Sequence, residues 1–279
     1  MSEMVRKKAS KIRRVTRAPF QYLLKFSLGT IAKVEVFGRE NLSGLTREKS
    51  RNFIVVANHS SHFDAPIILK SLPRKLARKV AVAAAADYFF AKKSSAILTG
   101  IFLNTFPVER HKDLQEKQSM KSYTWENFAN DDEKKSRKRH KGLARELLAN
   151  GIPLLILPEG TRSRNGEMGE FREGAARLAL EFDALIVPVA IVGAFEAWPA
   201  NAKTWRKVPR GEREKKWDAR PKILVKFGEV MESRDFVKDQ NESDDEVAKK
   251  LTKKMREEIE RMCGEMRILS SRKISRKLI

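Results

Sequence analysis

The stretch NFIVVANHSSHFD, residues 52–64, joins an uninterrupted apolar run to a polar loop with two histidines and an aspartate. Because the apolar residues of NFIVVAN do not alternate with polar ones, the run is typical of a strand buried on both faces, as in a parallel sheet. KVAVAAAA, PLLILP and ALIVPVAIVG repeat this signature, and KVEVFG and ILVKFGEV add two further strands. The sequence therefore predicts a sheet of at least six strands.

Helical patterns lie between these strands, at residues 65–72, 141–149 and 174–181. Alternating strands and helices predict an α/β fold with a largely parallel central sheet flanked by helices. The strongest helical pattern covers 243–266, where Ser243 and Glu246 form a capping box and apolar residues recur every three or four positions. The basic residues after it are expected to fray or to lie on an anionic surface.

The chain of 279 residues is long enough for one large domain with a buried core. Residues 1–30 pair cationic with aromatic and aliphatic side chains, which suits amphipathic helices lying on a surface or an ordinary helix on the core. We divide the chain into this N-terminal segment, an α/β domain over 31–242, and a C-terminal helix with a basic tail over 243–279. Residues 113–141 and 198–221 are interpreted as insertions.

Composition limits the partners and the compartment. An excess of 58 Lys and Arg over 36 Asp and Glu gives a net charge of +22, which predicts affinity for nucleic acid, anionic lipid or an acidic carrier protein. One cysteine and no Cys/His cluster indicate neither a disulfide nor a metal site, and favour the cytoplasm. We recognise no signal peptide, and the longest uncharged run, about 15 residues, is shorter than a membrane span, so any membrane contact is expected to be peripheral.

The heptapeptide NHSSHFD, residues 58–64, is the first candidate for chemistry. His59 follows a strand at its carboxyl end, where open α/β sheets bind their ligands, and Asp64 can fold back across the turn to orient it. A carboxylate on one imidazole nitrogen leaves the other free to accept a proton, so the two form a general-base pair. Helix capping by Asp64 and a surface position for His59 are the alternatives, and His62 is interpreted as supporting the turn.

A second constellation, LPEGTRS, follows another buried strand. Gly160 allows a ligand to approach the backbone, Thr161 offers a hydroxyl, and Arg162 has the planar donor pair that recognises phosphate. The Glu159 carboxylate can accept a hydrogen bond from a substrate hydroxyl or hold an arginine in place. An alcohol that carries a phosphate ester therefore fits this loop. Arg110, which ends GIFLNTFPVER, is either a second phosphate ligand or an edge charge, and a plain turn with a surface salt bridge is the alternative for the whole loop.

The order VEVFGRENL, VVANHSSHFDAPI, FPVER, LPEGTRS with FREGAARLA, and LIVPVAI resembles the PlsC-type glycerolipid acyltransferase family over about residues 34–230. The resemblance implies transfer of an acyl chain from a thioester to the hydroxyl of 1-acylglycerol 3-phosphate, giving phosphatidate. It implies no cofactor and no metal, with acyl-CoA or acyl carrier protein as the donor. It assigns His59 as the base, Asp64 as its partner, and an assisting role to Arg172. It assigns substrate binding to Arg110, Glu159, Gly160, Thr161 and Arg162, and the acyl pocket to Val187, Pro188 and Val189.

The implied partners are a lysophospholipid, an acyl thioester and an anionic membrane surface, with acyl carrier protein as a further candidate and no nucleic acid. The resemblance places the protein on the cytoplasmic face of the membrane, bound peripherally. Transfer to another lysophospholipid or to a glycolipid hydroxyl is the alternative within the same chemistry. A basic nucleic-acid-binding protein is the alternative from another class, although no nucleic-acid-binding module is recognisable in the sequence.

Overall fold

The computed structural model describes residues 32–47, 51–85, 105–108, 142–199, 220–237 and 242–275. The predicted N-terminal segment, Arg110, the whole of the 113–141 insertion and most of the 198–221 insertion lie outside these residues. Within the described part of the chain, eight strands form one sheet. The strands are β1 (Lys33–Phe37), β2 (Phe53–Ala57), β3 (Ala81–Ala85), β4 (Thr105–Val108), β5 (Leu154–Ile156), β6 (Leu185–Val192), β7 (Lys222–Phe227) and β8 (Met231–Glu232).

The sheet has the order β1-β7-β6-β2-β5-β3-β4, with β8 also paired to β6. All neighbours from β6 to β4 run parallel, whereas β7 and β8 are antiparallel to β6 and β1 is parallel to β7. The predicted α/β fold with a largely parallel sheet is therefore confirmed. The edge at which β2 and β5 end, at Ala57 and Ile156, is called the carboxyl edge below.

Helices cover both faces of the sheet, and those predicted at 65–72, 141–149 and 174–181 are present to within one residue at each end. The helices are α1 (Ser43–Arg47), α2 (Asp64–Ser71), α3 (Arg74–Ala77), α4 (142–149), α5 (Gly174–Glu181), α6 (Ala194–Ala197) and α7 (Asp244–Ser275).

The central strand β2 separates the two halves of the core. Val55 and Ala57 face a cluster that includes α2, while Ile54 and Val56 face a cluster that includes α5 and α7. Every residue of β2 is buried, and full burial of each aliphatic side chain stabilises the fold by about 1.5–3 kcal/mol. Burial on both faces explains why this sequence is continuously apolar.

The long helix α7 begins as its sequence predicts. The Ser243 hydroxyl accepts a hydrogen bond from the backbone N–H of Glu246 at 3.3 Å, and the Glu246 carboxylate accepts one from the backbone N–H of Ser243 at 3.1 Å. These are the two bonds of a capping box. The apolar stripe of α7 is buried against the sheet, at Val247, Leu251, Met255, Ile259, Met262 and Met266.

α7 continues beyond the predicted pattern to Ser275, and the expectation that the basic residues after Met266 fray or lie on an anionic surface stays a prediction. Extending an existing helix adds one hydrogen bond for each residue that is fixed, and Arg267 and Leu269 are good helix formers. The additional turns therefore do not need an apolar stripe of their own.

Among the residues that the structure describes, no helix is both long and apolar enough to cross a membrane.

Candidate active site

The candidate site begins where β2 ends, and Asn58 fixes this point. The side-chain amide of Asn58 donates to the backbone oxygen of Ile191 at 3.0 Å and accepts from the backbone N–H of Ile191 at 2.8 Å. A side chain thus continues the pairing of β2 with β6 by one residue. The backbone of the following residue, His59, is free to leave the sheet at the carboxyl edge. Sequence reasoning missed this role, although a polar residue directly after an apolar strand was a usable signal.

The pair predicted from the sequence, His59 and Asp64, is in contact. Nδ1 of His59 lies 2.9 Å from Oδ2 of Asp64, whose side chain is fully buried, while the His59 side chain remains 20% exposed. The same Oδ2 atom accepts hydrogen bonds from the backbone N–H groups of Ser60 and Ser61, at 2.6 and 2.7 Å. With Nδ1–H donating to the carboxylate, Nε2 is the nitrogen that can accept a proton.

Asp64 does not cap α2, since it is the first helical residue and Phe63 occupies the N-cap position. The alternative interpretation of Asp64 as a helix cap is therefore wrong. Its carboxylate instead turns back into the loop. Three donors converge on one oxygen, which holds the loop and the imidazole in a fixed relation. Such an arrangement can orient a general base.

The second loop holds His59 from the opposite side. Oε1 of Glu159 accepts a hydrogen bond from the backbone N–H of His59 at 2.6 Å, and Oε2 accepts one from the backbone N–H of Gly169 at 2.9 Å. The backbone oxygen of His59 in turn accepts from the backbone N–H of Ser163 at 2.8 Å. Both backbone polar groups of His59 are therefore bonded to the loop that contains LPEGTRS.

Glu159 is 5% exposed, and burial raises the pKa of its carboxyl group above the ordinary value. The hydrogen bonds from Gly169 and His59 act in the opposite direction, because they stabilise the ionised form. Each of the two carboxylate oxygens already has a backbone donor, so the geometry favours a structural connection between the two loops over the predicted contact with substrate.

Gly160 and Arg172 pack directly against each other. Gly160 has a φ of +69°, and a Cβ atom at this position would lie 3.0 Å from the guanidinium carbon of Arg172. The backbone N–H of Arg172 donates to the oxygen of Pro158 at 3.0 Å. The left-handed backbone favours glycine here, and a side chain at this position would also displace the Arg172 guanidinium. Arg172, to which the resemblance gave an assisting role, lies on the same loop.

Thr161 and Arg162 follow at the surface of this loop, where Thr161 is exposed and Arg162 is partly buried. The guanidinium of Arg162 contacts the imidazole ring of His62. The next residue, Ser163, is hydrogen-bonded to the backbone of His59. Arg162 therefore lies close to the loop that carries the general-base candidate. Arg110 lies outside the described residues, and its role as a phosphate ligand stays a prediction.

Trp198, the first residue of the second predicted insertion, packs against the first loop, a contact that the sequence did not predict. Its ring lies 4.5 Å from the Phe63 ring in an edge-on arrangement and 5.6 Å from the His62 ring, measured between centroids. The Ser61 hydroxyl donates to the backbone oxygen of Trp198 at 2.7 Å. Trp198 is thus held against the loop that carries His59.

The three residues assigned to the acyl pocket are divided between the two faces of β6. Val187 and Val189 lie in the cluster on the α2 face, whereas Pro188 is next to Gly228 and Met262, on the α7 face. All three are buried. Their part in binding an acyl chain stays a prediction.

Two clefts among the described residues are lined by neither His59 nor the loop that contains LPEGTRS. One, of about 620 Å³, is lined by β8 and α7, and the other, of about 380 Å³, by Gly228, Lys226 and α7. β8 pairs with Leu185 and Ile186 at the amino end of β6, so the first cleft is at the opposite side of the sheet from His59. In the regions described, no group of three or more His, Cys, Asp or Glu residues could hold a metal ion.

Cys263 lies on α7 near the site and is 7% exposed. Burial raises the pKa of its thiol to about 11. The thiol is therefore protonated at neutral pH, and a nucleophilic role for it is not supported.

The amino-acid sequence matches a known family over the residues that form this site. The sequence pattern of the family described as Acyltransferase matches residues 33–192, which is more than half of the 279-residue chain. The chain belongs to the Acyltransferase family. Its PlsC-type motifs are the two loops described above, so the sequence-based recognition is confirmed.

Relatives and a solved structure of this acyltransferase type are similar over different lengths. A 1-acyl-sn-glycerol-3-phosphate acyltransferase of Chlamydomonas reinhardtii is 27% identical over 172 residues, covering 62% of this chain and 42% of the relative. One of Cocos nucifera is 36% identical over 69 residues, covering 25% of this chain and 22% of the relative. Each alignment thus spans less than half of the relative's own length.

The crystal structure of the 1-acyl-sn-glycerophosphate acyltransferase PlsC from Thermotoga maritima superposes with a TM-score of 0.62 at 24% sequence identity. The superposition covers 94% of this chain and 83% of that one. At this level of identity, the likeness supports the shared fold.

Proposed function

We propose that this member of the Acyltransferase family transfers an acyl chain from a thioester to the free hydroxyl of 1-acylglycerol 3-phosphate, forming phosphatidate. The observation that carries the proposal is the 2.9 Å contact between His59 Nδ1 and the fully buried Asp64 carboxylate, at the edge of the sheet where ligands of α/β proteins bind. The names of the relatives of Chlamydomonas reinhardtii and Cocos nucifera support the choice of acceptor.

In the proposed mechanism, Nε2 of His59 removes the proton from the acceptor hydroxyl as the oxygen attacks the thioester carbonyl carbon. The new C–O bond forms, the C–S bond breaks when the tetrahedral intermediate collapses, and the departing thiolate takes the proton from the imidazolium. Asp64 stabilises that imidazolium through the Nδ1 hydrogen bond. The acyl chain passes directly to the acceptor, and no covalent intermediate with the enzyme is needed.

The acceptor is held through its phosphate in this proposal. Arg162 and Thr161 offer a guanidinium and a hydroxyl on the loop bonded to His59, and Gly160 allows the backbone to approach a ligand. Arginine recognises phosphate oxygens in a bidentate manner, which would fix the glycerol hydroxyl relative to the base. We include Arg110 as a second phosphate ligand, and Val187, Pro188 and Val189 as residues of the acyl pocket.

The wider setting follows from the substrates. Acyl-CoA or acyl carrier protein would supply the thioester, and the reaction as written requires no cofactor or metal. The net charge of +22 suits a peripheral position on an anionic membrane surface, with the cytoplasmic face as the proposed location.

An acceptor panel tests the proposal. Purified protein is supplied with an acyl thioester and with lysophosphatidate, lysophosphatidylcholine, monoacylglycerol or a glycolipid alcohol, and the products are separated by chromatography. We expect phosphatidate to form at least tenfold faster than any other product, since a bound phosphate adds charge-assisted hydrogen bonds. Equal rates with monoacylglycerol would contradict the assigned acceptor, and no transfer to any alcohol would contradict the reaction.

A further inference from the structure

The end of α7 projects beyond the carboxyl edge. Met262 lies beside Gly228, next to Pro188 of β6. The Cys263 thiol lies next to the backbone of Ile191, and a hydrogen bond between them lowers the pKa of the thiol, against the larger effect of burial. Ile191 is the residue to which Asn58 is fastened, immediately before His59. The α7 helix continues to Ser275. At 1.5 Å per residue, the part after Met266 is about 13 Å long.

This projecting part carries an apolar pair. Ile268 is 53% exposed and Leu269 is 45% exposed. In the described part of the chain, three large hydrophobic side chains are exposed to this degree, and the third is Val237. Val237 follows β8, at the amino end of β6 and therefore on the opposite side of the sheet. The exposed aliphatic residues of α7 are thus concentrated on the side of the molecule that contains His59.

The charge around the pair has one sign. Residues 267–279 contain five basic residues and no acidic residue. Nearer the middle of the helix, by contrast, arginines pair with glutamates, as Arg261 does with Glu258 and Glu265. A basic segment with exposed aliphatic side chains fits the boundary between the headgroups and acyl chains of an anionic bilayer. Each basic residue near such a surface contributes additional attraction that salt weakens.

We propose that the end of α7 after Met266 docks on an anionic phospholipid bilayer, with Ile268 and Leu269 inserted among the headgroups. Docking by this end turns the carboxyl edge, and with it the His59 loop, toward the lipid that supplies the acceptor. The inference rests on the proposed function for the identity of that lipid. The docking itself depends on the position, exposure and charge of α7.

A vesicle experiment with a matched control tests the docking. The full chain, the double variant Ile268→Gln with Leu269→Gln, and the control Val237→Gln are sedimented with vesicles of phosphatidylcholine alone or mixed with phosphatidylglycerol. Glutamine is a good helix former, and the replaced side chains are exposed, so circular dichroism should show unchanged folding. We expect the double variant to bind mixed vesicles about tenfold more weakly, and the control to bind as the parent does.

The proposal is overturned if the double variant binds mixed vesicles as tightly as the parent, or if Val237→Gln weakens binding equally. It is also overturned if the parent forms a dimer that the double variant loses while vesicle binding stays the same.

A turnover measurement separates the docking from the reaction. The double variant should act on a short-chain, water-soluble lysophosphatidate at the parent rate and more slowly on lysophosphatidate in vesicles. Absence of turnover by the parent in both forms would contradict the proposed reaction, while the sedimentation result would still decide the docking.

Discussion

The backbone N–H of His59 donates a 2.6 Å hydrogen bond to the carboxylate of Glu159, which lies one hundred residues further along the chain. The second oxygen of Glu159 holds Gly169. One buried side chain thus connects the loop that carries the general-base candidate with the loop that carries the phosphate-binding candidates. Glu159 therefore sets the distance between the base and the phosphate ligands, while Asp64 sets the orientation of the His59 imidazole.

The first prediction concerns Glu159→Gln. Glutamine places an NH₂ group against one of two backbone N–H donors, so one hydrogen bond is lost and we expect destabilisation by about 1–3 kcal/mol. Turnover should fall as the loops separate. Urea unfolding and acyl-transfer rates measure the two effects. Glu170→Gln, at an exposed position on the same loop, is the control, and equal behaviour of the two variants would refute the connecting role.

The second prediction is the pH dependence of this effect. Burial raises the pKa of Glu159 in the folded protein, so between the ordinary glutamate pKa and the raised one the folded state binds more protons than the unfolded chain. Stability contributed by Glu159 is then largest in acid and declines as pH rises through that window. The stability difference between the parent and Glu159→Gln should therefore shrink from about pH 4 toward neutrality. A difference that grows with pH would contradict the sign.

The third prediction concerns Asp64→Asn. The backbone N–H groups of Ser60 and Ser61 would hold the asparagine oxygen at the position of Oδ2, so the Nδ1–H tautomer is kept, but the negative charge that stabilises the imidazolium is lost. We expect kcat to fall about a thousandfold while the KM for lysophosphatidate changes little. Steady-state kinetics separate the two constants. Asp235→Asn, at an exposed position near β8, serves as the control. A change confined to KM would place Asp64 in substrate binding instead.

The fourth prediction concerns Arg162→Ala. Removing the guanidinium should raise the KM for lysophosphatidate about tenfold or more, because a charge-assisted hydrogen bond to phosphate is lost. The KM for monoacylglycerol, which has no phosphate, should stay the same. Arg164→Ala, two residues further along and exposed, should leave both values at the parent level. An equal rise for the two acceptors would show that Arg162 supports the loop and does not bind phosphate.

The sequence predicted the elements that depend on local pattern. β2 is continuously apolar because both of its faces are buried, and the start of α7 follows from the capping box at Ser243. The pairing of His59 with Asp64 was also accessible, since five residues across one turn leave few geometries. These features need only neighbouring residues for their explanation.

Long-range contacts were not accessible in the same way. The role of Glu159 depends on the N–H of a residue in a different loop, and that of Asn58 depends on β6 lying next to β2. The antiparallel position of β7 beside β6 is likewise a property of the assembled sheet. The extension of α7 to Ser275 escaped prediction because periodic burial, the signal used, ends at Met266.

The most direct test of the account is the rate of acyl transfer by His59→Ala, measured with purified protein, an acyl thioester and saturating lysophosphatidate. Loss of the general base should lower kcat by about a thousandfold or more, with vesicle binding and thermal stability close to those of the parent. His62→Ala, three residues further along the same loop, should retain most of the activity. Transfer by His59→Ala at a rate near that of the parent would contradict the central claim.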